Sequence, residues 1–127
     1  MNKSLARVAV ISSFCLSWAG CSSSDITSPT DIIFPASGVS YHAQVAPYLT
    51  LACNTSHCHD GSAIDKGAKD MTSWVGVRDV VGQPGDTLTS PIVSVMYARE
   101  NHAGAFLAND NQRNGIKVWV LEGAKNN

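Results

Sequence analysis

The chain has little of what marks most functional classes. Charged residues make up 15% of its 127 positions, nine basic against ten acidic, so there is no basic surface to meet phosphates and nucleic acid is disfavoured. No Ser-His-Asp arrangement, phosphate-cradling glycine loop or paired carboxylate cluster argues for an enzyme; Asp65 and Asp70 read as solvated charges. The longest apolar run, within residues 5–18, is too short to span a bilayer as a mature helix. There is no internal repeat, and the one low-complexity segment is a serine-rich stretch after residue 21. Cysteine is scarce too, with four in the whole chain.

What is present begins with an export signal. Lys3 and Arg7 give a positive start, an apolar run follows, and Ala19-Gly20 supplies the small residues of a cleavage point. Residues 1–20 are therefore expected to be removed. Ala19-Gly20-Cys21 resembles the lipobox of bacterial lipoproteins, although Trp18 stands where an aliphatic residue is usual. That resemblance implies that Cys21 becomes an acylated N-terminus, anchored to a membrane by several chains rather than one. The alternative is a soluble secreted chain with Cys21 as an odd thiol. From Cys21 onward seven basic residues face ten acidic ones, a balance of −3.

Cys15 leaves with the signal and Cys21 is assigned to lipid, so Cys53 and Cys58 are the only thiols left for the folded part. They lie in Cys53-Asn54-Thr55-Ser56-His57-Cys58-His59. Two thiols with a histidine directly after the second is the layout of a covalent haem site, usually written Cys-x-x-Cys-His. The thiols add to the porphyrin vinyl groups, and the adjacent imidazole then reaches the iron as neutral nitrogen, which makes His59 the proximal candidate. Four residues separate the thiols here, and the turn-prone Asn54, Thr55 and Ser56 suit a bulge between them. Three other readings of the stretch compete. They are a Cys53–Cys58 disulfide, a zinc site with His57, His59 or Asp60, and a redox-active thiol pair, whose usual βαβ setting is missing. A held haem would also supply apolar surface that so short a chain lacks.

The rest of the chain is read as one small, mainly α domain. Residues 21–37 form the lipidated cysteine and a tether, with Ile32, Ile33 and Phe34 able to pack on the domain edge. The domain is placed at 38–124, with 125–127 as a tail. Residues 40–52 read as a first helix capped by Ser40, with Val45, Leu49 and Ala52 on one face, and Pro47 implies a kink or a late start. His42 reads as a first-turn or surface residue. Residues 60–86 are rich in glycine, and Trp74-Val75-Gly76-Val77 and Val80-Val81 read as short extended pieces. Lys66, Lys69 and Arg78 there are solvated charges or partners for haem propionates. Ser90-Pro91 opens a largely buried second helix ending near Asn101. Asn109 or Asp110 caps a last helix with Ile116, Trp119 and Val120 on one side and Gly123 at its end.

Residues 40–124 resemble the small bacterial class I c-type cytochromes. The residues that carry the likeness are Tyr41 to Leu49 running into Cys53, then Cys58-His59, Ser90-Pro91-Ile92, and Trp119 to Ala124 as a closing Trp-x-x-x-Gly-Ala helix. The resemblance implies a mainly α fold whose first and last helices cross and enclose one haem, with a loop-rich middle. It also implies a second axial ligand, usually methionine, in the loop before the closing helix. That loop has no methionine here and offers His102 instead, while Met96 lies upstream among core residues, where methionine more often packs than ligates. His59 and His102 are therefore the expected axial pair, with Met96 as the alternative distal ligand. A haem closed on both faces passes electrons to and from redox partner proteins, so electron transfer is the expected function, at the periplasmic or cell-surface face of a membrane. The competing classes are haem-based ligand binding or sensing through an open sixth site, and a lipid-anchored disulfide or interaction module without haem.

Overall fold

The computed structural model describes residues 25–55, 57–62, 68–98, 102 and 107–127. The export signal and Cys21 lie outside these residues, as do Asp65 and Lys66. Among the described residues the regular structure is helical, with four α-helices and no strand. They are α1 (Ala46–Ala52), α2 (Trp74–Val81), α3 (Pro91–Tyr97) and α4 (Asp110–Leu121). No helix among the described residues is long and apolar enough to cross a membrane.

The first helical stretch begins where Ser40 was expected to cap it, its hydroxyl accepting from the Ala43 amide. The turn Tyr41–Val45 is π-helical and becomes α1 at Ala46. Pro47 has no amide to donate back into that turn, which accounts for a changeover here. Val45, Tyr48, Leu49 and Ala52 are buried along one face, as their spacing implied.

The middle of the chain departs from expectation. Residues 74–81 do not form extended pieces; they make one helix, α2. Branched valines around a glycine carry strand propensity, but Val77 and Val81 are spaced at i, i+4 and both are fully buried, so packing overrides propensity. Ser73 accepts from the Gly76 amide and starts the helix. Gly76 serves a second purpose: a Cβ there would overlap the carbonyl oxygen of Asp70, so only glycine lets α2 lie against the incoming chain.

Helix α3 starts at Pro91 as expected but stops at Tyr97, short of Asn101. Ser90 occupies the N-cap position without bonding a helix amide, and its hydroxyl is buried with no partner. In α4 a reciprocal box forms, Asn109 accepting from Asn111 and Gln112 amides while the Gln112 side chain accepts from the Asn109 amide. Ile116, Trp119 and Val120 are fully buried, and Gly123, at φ 97°, ends the helix with the Ala124 amide donating to the Trp119 carbonyl.

Both ends of the domain are more tightly joined than composition implied. Ile32 and Phe34 are buried in the core, ahead of the Gly38 boundary expected for the domain. Asn111 pairs with Phe34 through both main-chain groups, at 2.8 and 2.9 Å, and Gln112 donates to the Ile32 carbonyl. The Phe34 ring fills the space where Gly115 has no side chain. Residues 125–127 are not a loose tail. Trp119 Nε1 donates to the Lys125 carbonyl, and Ser40, Tyr41 and His42 all donate to Asn127. Tyr41 also stacks on Trp119, with ring centroids 5.8 Å apart, which joins the start of the first helical stretch to α4.

Candidate functional site

Residues 53–55 and 57–59 fold back on one another and lie against residues 69–71. Helix α1 ends at Ala52, and the Cys53 amide still donates to Leu49. The Cys58 amide donates to Thr55, and the His59 amide returns to the Cys53 carbonyl at 3.2 Å. His57 sits at φ 65°, a left-handed conformation that lets the longer loop close between the two cysteines. The Met71 amide donates to the His59 carbonyl at 2.9 Å, and Asn54 Nδ2 donates to the Met71 carbonyl at 3.0 Å. A side-chain bond completes the latch, His59 Nδ1 lying 2.6 Å from the Lys69 carbonyl oxygen. A carbonyl only accepts, so Nδ1 carries the proton and Nε2 keeps its lone pair for a metal.

His59 borders a cavity of about 90 Å³ whose other walls include Cys53, Met71, Ile92, Met96 and His102. Five chain segments converge here: the residues after α1, those ahead of α2, α2 itself through Val80, helix α3, and His102 ahead of α4. The lining is apolar apart from the two imidazoles and one thiol. His59 and His102 face each other with ring centroids 5.8 Å apart and planes 26° from parallel. His102 Nδ1 is buried without a partner.

The two thiols differ. Both are free, Cys53 buried and Cys58 exposed. Burial, reinforced by the nearby Cys58, pushes the Cys53 thiol up to about 12. Cys53 therefore stays a neutral, weakly nucleophilic thiol at neutral pH, which does not suit a redox-active pair. Among the described residues no group of three or more His, Cys, Asp or Glu side chains is placed to hold a metal ion.

Met96 is as buried as a core position implied, at 2% exposure, yet it also faces the cavity. Its sulfur receives the Tyr48 hydroxyl at 3.8 Å. Arg78 lies over the Trp74 ring at 5.0 Å, and Trp74 Nε1 donates to the Ala124 carbonyl, so this pair braces α2 against the end of the chain. Lys69 takes part through its main-chain carbonyl. Three contributors were not legible beforehand. Met71 was hidden as one apolar residue in a polar loop, the Lys69 carbonyl leaves no trace in sequence, and nothing in sequence sets Arg113 apart from the other basic residues. Arg113 is in fact buried, its Nε donating to the Met96 carbonyl at 3.0 Å and its Nη1 to Asp110.

The fold and site define a small helical domain with an apolar cavity flanked by two imidazoles and a buried thiol. Comparisons with protein-family models, characterised proteins and solved structures find no match to this chain.

Proposed function

We propose that this protein is a one-haem electron carrier of the c type. In this reading haem is joined through Cys53 and Cys58, His59 and His102 are its axial ligands, and Cys21 anchors the exported chain to a membrane. The observation that carries the reading is that His59 and His102, far apart in sequence, lie with ring centroids 5.8 Å apart on the lining of one apolar cavity walled by Cys53. A haem held there supplies reversible one-electron exchange at iron.

The chain's own residues support this in distinct ways. His59 is oriented by the Lys69 carbonyl, which holds the ring through Nδ1. His102 presents an imidazole with no competing partner at Nδ1. Met71, Ile92 and Val95 line the space with apolar surface that keeps water out. A cavity of about 90 Å³ admits a few water molecules, not a macrocycle, so the walls must part on attachment. With both axial positions filled by protein there is no open position for a substrate, which favours electron transfer over ligand binding.

The test is to express the full chain alongside a functioning haem-attachment pathway. The expected product is coloured, carries one haem by mass after denaturation, and is low-spin in the ferric state without the near-infrared band of sulfur–iron charge transfer. His102→Ala should give high-spin iron that binds carbon monoxide. Colourless protein with both thiols free overturns the reading, and a high-spin wild type moves ligand binding ahead of electron transfer. Cys21→Ser should release the domain from the membrane fraction; wild-type protein already soluble, with its N-terminus elsewhere, overturns the lipid anchor.

A further inference from the structure

We infer that residues 33–38 and the outer side of α4 form one face that lies on a phospholipid surface, with the cavity of His59 and His102 turned away from it. The inference rests on the lipid-anchor part of the reading above and is independent of haem. Residues 33–38 run beside α4 for almost its whole length. At one end Phe34 pairs with Asn111, at 2.8 and 2.9 Å. At the other, the Gly38 and Val39 amides donate to the Glu122 carboxylate at 2.7 and 3.0 Å. Between these ties runs an open groove of about 380 Å³, lined by Phe34, Pro35, Ala36, Gly115 and Val118 among others.

This face is short of charge and rich in exposed apolar groups. Residues 32–41 contain no Asp, Glu, Lys or Arg. Ile33 is 68% exposed, and Pro35 and Ala36 are exposed after it. On α4, Asn114, Lys117, Val118 and Leu121 share a side by their three- and four-residue spacing, and Leu121 is 52% exposed. The Tyr97 hydroxyl donates to Asn114 at 3.0 Å, so a half-exposed ring with a polar tip stands beside them, as suits a membrane interface. Lys117 is exposed and matches anionic headgroups. The occupant follows from where the chain leads. Cys21 lies four residues before Asp25, a span of at most about 14 Å. The exposed Ile26 comes next, the capped turn Pro29–Asp31 shortens the path, and Ile32 and Phe34 are then locked in the core. An acylated Cys21 therefore holds this face near the bilayer. Arg113, on the opposite side of α4, donates to the Met96 carbonyl in a wall of the cavity, so the cavity lies beyond α4 from the lipid.

The experiment places a nitroxide, one at a time, at Ile33, Leu121, Val75 or Leu88, through a keto amino acid that leaves both thiols untouched. All four side chains are exposed, and Val75 and Leu88 lie outside the proposed face. Each chain, processed and acylated by a lipidating host, is reconstituted in vesicles of phosphatidylethanolamine and phosphatidylglycerol. Accessibility to oxygen, which concentrates in lipid, is compared with accessibility to a water-soluble nickel complex. The oxygen-to-nickel ratio should be several-fold higher at Ile33 and Leu121 than at Val75 and Leu88. In Leu121→Glu, a surface change that leaves the core alone, the label at Ile33 should lose most of that excess. Equal ratios at all four positions, or a higher ratio at Val75 or Leu88, overturn the inference. Spin–spin broadening at Ile33 and Leu121 that vanishes on dilution with unlabelled chain assigns the face to a second copy and also overturns it. Failure of the anchor reading is separately visible, as chain without acyl groups by mass that does not sediment with the vesicles, and the docking falls with it.

Discussion

Replacing Gly76 by alanine tests how the site is built, although Gly76 touches neither histidine. In an unhindered helix this change stabilises, by about 1 kcal/mol on helix propensity. Here the new Cβ would overlap the Asp70 carbonyl oxygen, a main-chain atom with no rotamer to change. The segment must therefore move by on the order of 1 Å to restore van der Waals contact. Overpacking of this kind costs about 1–3 kcal/mol. The moving residues are the ones that hold His59, through Lys69 to Nδ1 at 2.6 Å and Met71 to the His59 carbonyl at 2.9 Å. Two such bonds are worth about 1 kcal/mol each. Set against the propensity gain, the net loss is about 2–4 kcal/mol, a fall in Tm on the order of 10–20 °C for a domain of this size. Urea or thermal denaturation measures it, and on the proposed haem reading the loaded protein would also show a less strongly held His59, as loss of low-spin character. If Gly76→Ala raises stability, the close approach of α2 to residues 69–71 is wrong, and with it this account of what orients His59.

Phe34→Ala should destabilise by about 3–5 kcal/mol in chemical denaturation, because the ring is buried against Gly115 and Tyr48; a change under about 0.5 kcal/mol would return residues 32–34 to the tether. In haem-free chain at neutral pH, Cys58 should be alkylated well before Cys53, since only Cys58 is exposed, and equal rates would contradict the burial of Cys53. The Cys53 thiol is raised from its ordinary 9.0 to about 12, so the folded chain holds that proton more tightly than the unfolded chain does. Its contribution to stability is whole below about pH 9 and is lost as pH rises from 9 to 12, by up to about 4 kcal/mol. In the proposed haem-bound form, a thioether at Cys53 would remove this titration, so alkaline denaturation of the haem-free chain should then be steeper than that of the haem-bound protein.

Some features were written locally and could be read directly. Ser40 as one helix start, Asn109 or Asp110 as another, Gly123 as a stop, and the buried faces of Val45, Leu49, Ile116 and Trp119 depend on spacing within a few residues, and the fold keeps them, with Asn109 as the cap. Other features were decided by contacts between distant parts of the chain. Residues 74–81 carry strand-forming side chains, yet burial of Val77 and Val81 makes them helical, and only the approach of Asp70 explains Gly76. Ile32 and Phe34 were expected to pack on the domain edge at most, because the segment around them buries little, but the side-chain amides of Asn111 and Gln112 hold it in the core. The facing of His59 and His102, and the hold of Tyr48 and Arg113 on Met96, join residues from separate elements. A linear pattern records which side chains are available; which of them meet is decided only when non-local packing closes the cavity.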